Sequence, residues 1–269
     1  MDHHIKEYYC QFNDNSPRGN FHKVISLNDP HISWEIAIQH VPKLCKGWYE
    51  LTRLSVQDRI DFTRDFWLSK LSYHANLDEF LTRFFASLDD IVVYLIQKKF
   101  DDPFEAHLVY SIKGDNGFFR GLLPALDHEI ATMEKSFSGF TLPRDYLSFL
   151  QIHNGFCKTT DCTGLYPSHR MKENYLSFQE LLEHEDALRT TQGKIVDPKK
   201  LIPFYESFGM PFYQCFWAEW YPEQEMGNVY YSGMARTISA VDDKQLDNES
   251  MAFKTFLDWL MFYMEMFTG

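Results

Sequence analysis

The stretch Glu134 to Gly155, EKSFSGFTLPRDYLSFLQIHNG, fixes how the second half of this chain begins. Pro143 stands where a first helical residue belongs, because proline's missing N–H has no intrahelical partner there. The spacing predicts a helix from Pro143 through His153, ended by Asn154-Gly155, the residue types that tolerate the left-handed conformation past a helix end. Upstream, Ile130, Met133 and Phe137 share one face of a preceding helix that starts at Asp127.

Working outward, Ser177 with Glu180 has the form of a capping box and predicts a helix from Phe178 to about Thr190. Strands are expected at Leu201–Phe204, Phe212–Trp217, Asn228–Ser232 and Thr237–Val241. A last helix, Glu249 to Phe267, would bury Phe253, Phe256, Leu257, Leu260, Met264 and Phe267. Helices, then strands, then a helix is an α+β order.

The first half reads differently. Residues 1–28 are polar, without sustained periodicity, and read as an irregular arm. Helices are expected at His31–Val41, behind Asp29-Pro30, at Lys43–Leu54 and from Ser55 to Leu71. A long central helix, Leu77 to Lys99, would carry Phe80, Phe84, Ile91 and Leu95. Phe104–Ile112 and Phe118–Leu122 flank Lys113-Gly114-Asp115-Asn116-Gly117 as a β-hairpin. The division expected is a mainly helical region, residues 1–126, followed by an α+β domain, residues 127–269.

The ordered set Glu134, Phe137, Leu142-Pro143, Asp145-Tyr146, Phe149-Leu150 and Asn154-Gly155 resembles the opening helices of the SUKH superfamily. Ile202-Pro203-Phe204 and Phe212-Tyr213 look like its central strands, Gly227 to Tyr231 like the next, and Phe253 to Leu257 like its closing helix. This family includes fungal cell-wall-assembly regulators and bacterial immunity proteins. The resemblance implies a mixed sheet flanked by helices, and binding of a protein partner rather than catalysis. The chain departs from the usual pattern after Tyr213, where many members have a small or acidic strand-ending residue and this one has Cys215-Phe216-Trp217.

Composition narrows the partner. The chain has 269 residues and a net charge of −12, and residues 126–269 carry −9 of it. With no run of Lys or Arg longer than Lys98-Lys99 or Lys199-Lys200, duplex nucleic acid and anionic membranes are not expected as partners. The longest unbroken aliphatic-aromatic run, Ile91 to Ile96, is far too short to span a bilayer. Five scattered cysteines and a start at Met1-Asp2-His3-His4 without an apolar leader lead us to expect a reducing, cytoplasmic location. An acidic half can serve solubility alone; the sharper reading is recognition of a basic protein.

Motifs for chemistry are mostly missing. Neither Gly-x-Gly-x-x-Gly nor a Walker loop occurs, Ser138 and Ser232 complete no nucleophile elbow, and His128-Glu129 begins no zinc-protease motif. His153, Cys157, Cys162 and His169 are zinc-competent types at a spacing that fits no compact knuckle, so no metal and no cofactor is expected. The pairs Asp89-Asp90, Asp101-Asp102 and Asp242-Asp243 read as element ends, and Met251, Met261, Met264 and Met266 as core packing.

The candidate partner-binding set is Trp217, Glu219, Trp220, Tyr221, Glu223, Glu225 and Tyr230, because aromatics beside charges make interface anchors; strand packing is the plainer alternative for the aromatics. A rival reading is an enzyme with its site at the junction of the halves, drawing on His107, Arg120, Asp145 and His153. A third is a homodimer joined through the aromatic patch.

Overall fold

The computed structural model describes residues 1, 3–114, 116–161, 163–183, 187–207, 211–241 and 251–265, apart from 11–20. Up to residue 126 the order is α1 (His3–Cys10), β1 (Lys23–Ser26), α2 (Trp34–His40), α3 (Lys46–Leu51), α4 (Val56–Lys70), α5 (Leu77–Ala86), β2 (Leu88–Gln97), β3 (Glu105–Ile112) and β4 (Phe118–Gly121). Then come α6 (Asp127–Ser136), α7 (Arg144–Leu150), β5 (Phe156–Lys158), β6 (Gly164–Leu165), α8 (Met171–Glu183), β7 (Arg189–Thr190) and β8 (Leu201–Glu206). The chain continues through β9 (Phe212–Trp217), β10 (Asn228–Ser232), β11 (Thr237–Ile238), β12 (Ala252–Phe253) and α9 (Phe256–Glu265).

The architecture is α+β, with N-terminal helices followed by a mixed sheet flanked by helices. The strands form one sheet in the order β1-β2-β3-β4-β5-β6-β8-β9-β10-β11-β7, with β12 also on β10. Neighbours are antiparallel except β11 with β7. The sheet crosses residue 126: Phe119, Arg120 and Gly121 of β4 pair with Lys158, Cys157 and Phe156 of β5. One core does the same, joining Trp67, Phe84, Tyr110 and Phe119 to Tyr146, Phe149, Phe204 and Phe256.

Two further clusters cover the opposite face. Ile5 and Tyr9 of α1 pack with Val92, Tyr94 and Val109 at one end, and Phe178 and Leu182 of α8 pack with Trp217 and Tyr231 at the other.

The expected helix Leu77–Lys99 is corrected to a helix and a strand. α5 stops at Ala86, the amide of Ser87 closing its last turn on Arg83, and β2 begins at Leu88. The reason is the run Ile91 to Ile96, buried at every position. A helix on a surface has one apolar stripe, whereas a central strand covered on both faces is apolar throughout. Within the stretch expected to be an irregular arm, residues 3–10 and 23–26 are regular elements: α1 buries Ile5 and Tyr9, and β1 pairs with β2.

Three helix starts move. Ser33, rather than Asp29, caps α2, accepting from the amide of Ile36. Ser177 lies inside α8, which starts at Met171. The last helix starts at Phe256 because Thr255 and Asp258 cap it reciprocally: Asp258 N–H donates to Thr255 Oγ1 at 3.0 Å and Thr255 N–H to Asp258 Oδ2 at 3.1 Å. Ala252–Phe253 is instead a strand on β10, while Glu249, Met266, Phe267 and the pair Asp242-Asp243 lie outside the described residues. The hairpin β3–β4 and the strands β8, β9 and β10 stand where the sequence placed them.

The junction of the halves is held by a buried polar relay. Trp67 Nε1–H donates to Tyr110 Oη at 3.1 Å, the Tyr110 hydroxyl donates to His153 Nε2 at 2.5 Å, and His153 Nδ1–H donates to the carbonyl of Leu122 at 3.0 Å. The ring lies so close to β4 that a Cβ at Gly121 would meet His153 Nδ1 at 2.1 Å, so only glycine fits. Burial pushes the His153 imidazole down to about 4.

That shift fixes a sign. His153 is neutral in the fold, and the stability this provides is present above its unfolded value near 6.5 and lost as pH falls through about 4. Asp145, raised by burial to about 6, works in the opposite sense over the same range, so the difference between two proteins is the useful readout. Urea unfolding at pH 7 and pH 4 should show His153→Gln losing of order 3 kcal/mol less than the wild type on acidification.

Candidate protein-binding surface

The loop between β9 and β10 closes on itself. Trp217 N–H donates to the Gly227 carbonyl at 3.0 Å, Gly227 N–H to the Trp220 carbonyl at 2.9 Å, and Trp220 N–H to the Trp217 carbonyl at 3.0 Å. Gln224, between Glu223 and Glu225, takes a left-handed backbone, φ 66°. The half-buried Trp220 ring lies against Gly227, where a Cβ would come within 2.3 Å of it. The loop is thereby held in one shape, with little ordering entropy left to lose on binding.

The structure sorts the seven candidate residues. Trp217 is 0% exposed, packed in the core under α8, with its ring under the Lys194 ammonium at 5.2 Å. Its indole does not reach the surface. Tyr230 is half-buried and stacks on Phe212 at 5.7 Å, and burial raises its hydroxyl. Glu225, 35% exposed, accepts from the backbone amide of Arg144 at 2.9 Å, so it holds the start of α7. What faces solvent is Glu219, Tyr221 (48% exposed) and Glu223, with Trp220 as their brace.

The four residues of the junction reading do not converge. Asp145 Oδ1 accepts from the Tyr146 amide at 2.8 Å and Oδ2 from the Leu257 amide at 3.0 Å, which ties α7 to the start of α9. Its carboxyl is raised to about 6 by burial, against those two hydrogen bonds. His153 belongs to the relay. His107 is buried, bonded through Nδ1 to the Tyr9 hydroxyl at 2.9 Å, and burial lowers its basicity.

Only His107 and Arg120 reach the groove of about 1240 Å³ that opens between the halves. Arg120 stacks on Tyr8 at 4.7 Å and its Nε–H donates to Cys157 Sγ at 2.8 Å. The groove also takes in Lys43, Lys98, Lys99 and Arg170, drawn from separate elements that no local motif joins. Among the described residues no group of three or more His, Cys, Asp or Glu is arranged to hold a metal ion; Cys162 of the sequence-level quartet lies outside them. Among the described residues no helix is long and apolar enough to cross a membrane.

Helices α6 to α9 around the strands from β5 onward define an α+β domain of sheet and flanking helices. The chain belongs to the SMI1 / KNR4 family (SUKH-1), whose family model matches residues 124–261. The matched segment runs from just before α6 into α9, as the resemblance in the sequence implied. No curated protein matches the chain.

The brace under the loop is testable. Gly227→Ala should drive Trp220 off the backbone, lower stability by about 1–3 kcal/mol and speed amide hydrogen exchange across residues 218–227, read by exchange mass spectrometry.

Proposed function

We propose that this protein is a cytoplasmic protein-recognition module of SUKH type that grips a basic partner through Glu219, Tyr221 and Glu223. The observation that carries this reading is the loop itself. It offers an exposed aromatic between two exposed carboxylates on a backbone locked by its own hydrogen bonds. Preorganised anchors of this kind lose little on binding, and the carboxylates speed encounter with a positive surface.

In this reading residues 127–269 form the recognition domain, and residues 1–126 add strands β1 to β4 to its sheet. The chemistry suits two tasks, neutralising a basic toxin domain such as a nuclease and holding a basic protein in a scaffold. The junction-enzyme reading has less support, since Asp145 and His153 are engaged in structural hydrogen bonds away from the groove. The homodimer reading rests mainly on Tyr221, since Trp217 is in the core and Trp220 and Tyr230 are half-buried.

The test is affinity purification of the tagged protein from its native lysate at low and high salt, with bound proteins identified by mass spectrometry. The expected result is a stoichiometric basic protein released by high salt and lost from Glu219→Lys and Glu223→Lys variants, with Tyr221→Ala weakening binding about tenfold or more. Capture that is insensitive to salt and to all three substitutions overturns the reading.

A further inference from the structure

A second surface of opposite sign lies in the groove between the halves, and we propose that it binds an acidic, amphipathic segment of a partner protein. The chain as a whole has 26 Lys and Arg against 38 Asp and Glu, yet the groove is lined by five Lys or Arg and two Glu, and no Asp. Each glutamate is already matched to a lysine: Lys98 meets Glu105 at 3.0 Å and Lys43 meets Glu129 at 3.2 Å. Lys99 and Arg120 have no carboxylate within salt-bridge distance among the described residues. Arg170 has only Glu173 at 3.8 Å, on the solvent side where such a pair is weak.

The geometry of Arg120 points to a carboxylate. Its guanidinium is fixed in place by the Tyr8 ring and by the Nε–H bond to Cys157 Sγ. Its terminal amino groups make no hydrogen bond among the described residues. A guanidinium held this way presents a planar fork to a carboxylate without further loss of freedom. Around it the lining is apolar, with Phe104, Leu122, Leu123, Pro124 and Tyr166. Acidic side chains beside apolar ones are therefore what the groove complements.

Size separates a peptide from a metabolite. At about 1240 Å³ the groove exceeds the roughly 300–1,000 Å³ range of small-molecule pockets. It runs from Tyr8 of α1 to Arg170 ahead of α8, so a chain segment with several anchors fits better than one compact ligand. This site does not depend on the β9–β10 loop, and either can fail without the other.

The experiment is selection of displayed random peptides of about twelve residues on the full-length protein. The selected sequences should combine Asp or Glu with Leu, Phe or Trp. A fluorescein-labelled selected peptide should bind by anisotropy, lose affinity as salt rises, and bind about tenfold or more weakly to Lys99→Glu and to Arg170→Glu. Those two residues are exposed, so the variants should fold, which circular dichroism checks. Arg120→Gln should weaken binding too, but it also loosens the contact with Tyr8 and is the secondary variant. Glu219→Lys and Tyr221→Ala should leave peptide binding unchanged. Selection without acidic enrichment, or affinity unaltered by Lys99→Glu and Arg170→Glu, overturns the proposal. So does concentration-dependent self-association abolished by the same two variants, which would make a second copy of this chain the occupant.

Discussion

The relay from Trp67 through Tyr110 and His153 to the Leu122 carbonyl is the constraint on which the junction depends. Every buried polar atom in it is partnered, Tyr110 Oη on both sides, so the network specifies a single arrangement; a break would leave an unsatisfied group in low dielectric. Its members come from α4, β3 and the turn after α7, on both sides of residue 126. Gly121 lets the imidazole sit against β4, and that close approach places Phe156 and Cys157 opposite Gly121 and Arg120. The shape of the groove follows, because Arg120 and Cys157 then sit on neighbouring strands with their side chains in contact.

Much of the fold was legible in the sequence wherever a local signal decides the structure. The turn chemistry of Lys113 to Gly117 marked the hairpin, and Pro143 marked the start of α7, which ends at Leu150, short of the expected His153. The helix expected from Ser55 does begin there: Ser55 Oγ caps α4, accepting from the Asp58 amide at 3.2 Å. The sequence misled where burial overrides period. Phe80 to Phe85 does follow a helical face, but Ile91 to Ile96 is apolar because β1 and β3 flank it and helices cover both faces, a tertiary fact with no periodic trace. Thr255 and Asp258 form a cap as legible as Ser177 and Glu180, yet only the former starts a helix. The difference is that the chain before Thr255 pairs with β10, while the residues before Ser177 are already helical.

The candidate surface was legible in part, for a related reason. Both faces of β9 are covered, Phe216 facing one core and Trp217 the other, so Trp217 is buried and only the loop after it meets solvent; the composition of the loop was a better guide than the count of aromatics. Glu225 looks like its neighbours in sequence but folds back onto the α7 amide, a contact 81 residues away that spacing does not reveal. The groove was less legible still. Its cations come from α2–α3, β2–β3, β4 and the turn before α8, and only the sheet order brings them together.

The family match begins at residue 124, and the sheet shows what the preceding residues do for it. β5 has three residues and β6 two, short strands that alone would leave an edge of unpaired backbone groups beside Phe156. β4 covers that edge, β3 and β2 lie beyond it, and β1 ends the sheet on four residues. The same added strands supply Tyr110 to the relay and Arg120 to the groove. Residues 1–126 therefore both protect the edge of the family domain and give it a basic surface that its own acidic composition does not provide. A chain of net charge −12 thus presents two faces of opposite sign, one on a loop of the matched segment and one at its seam with the added strands.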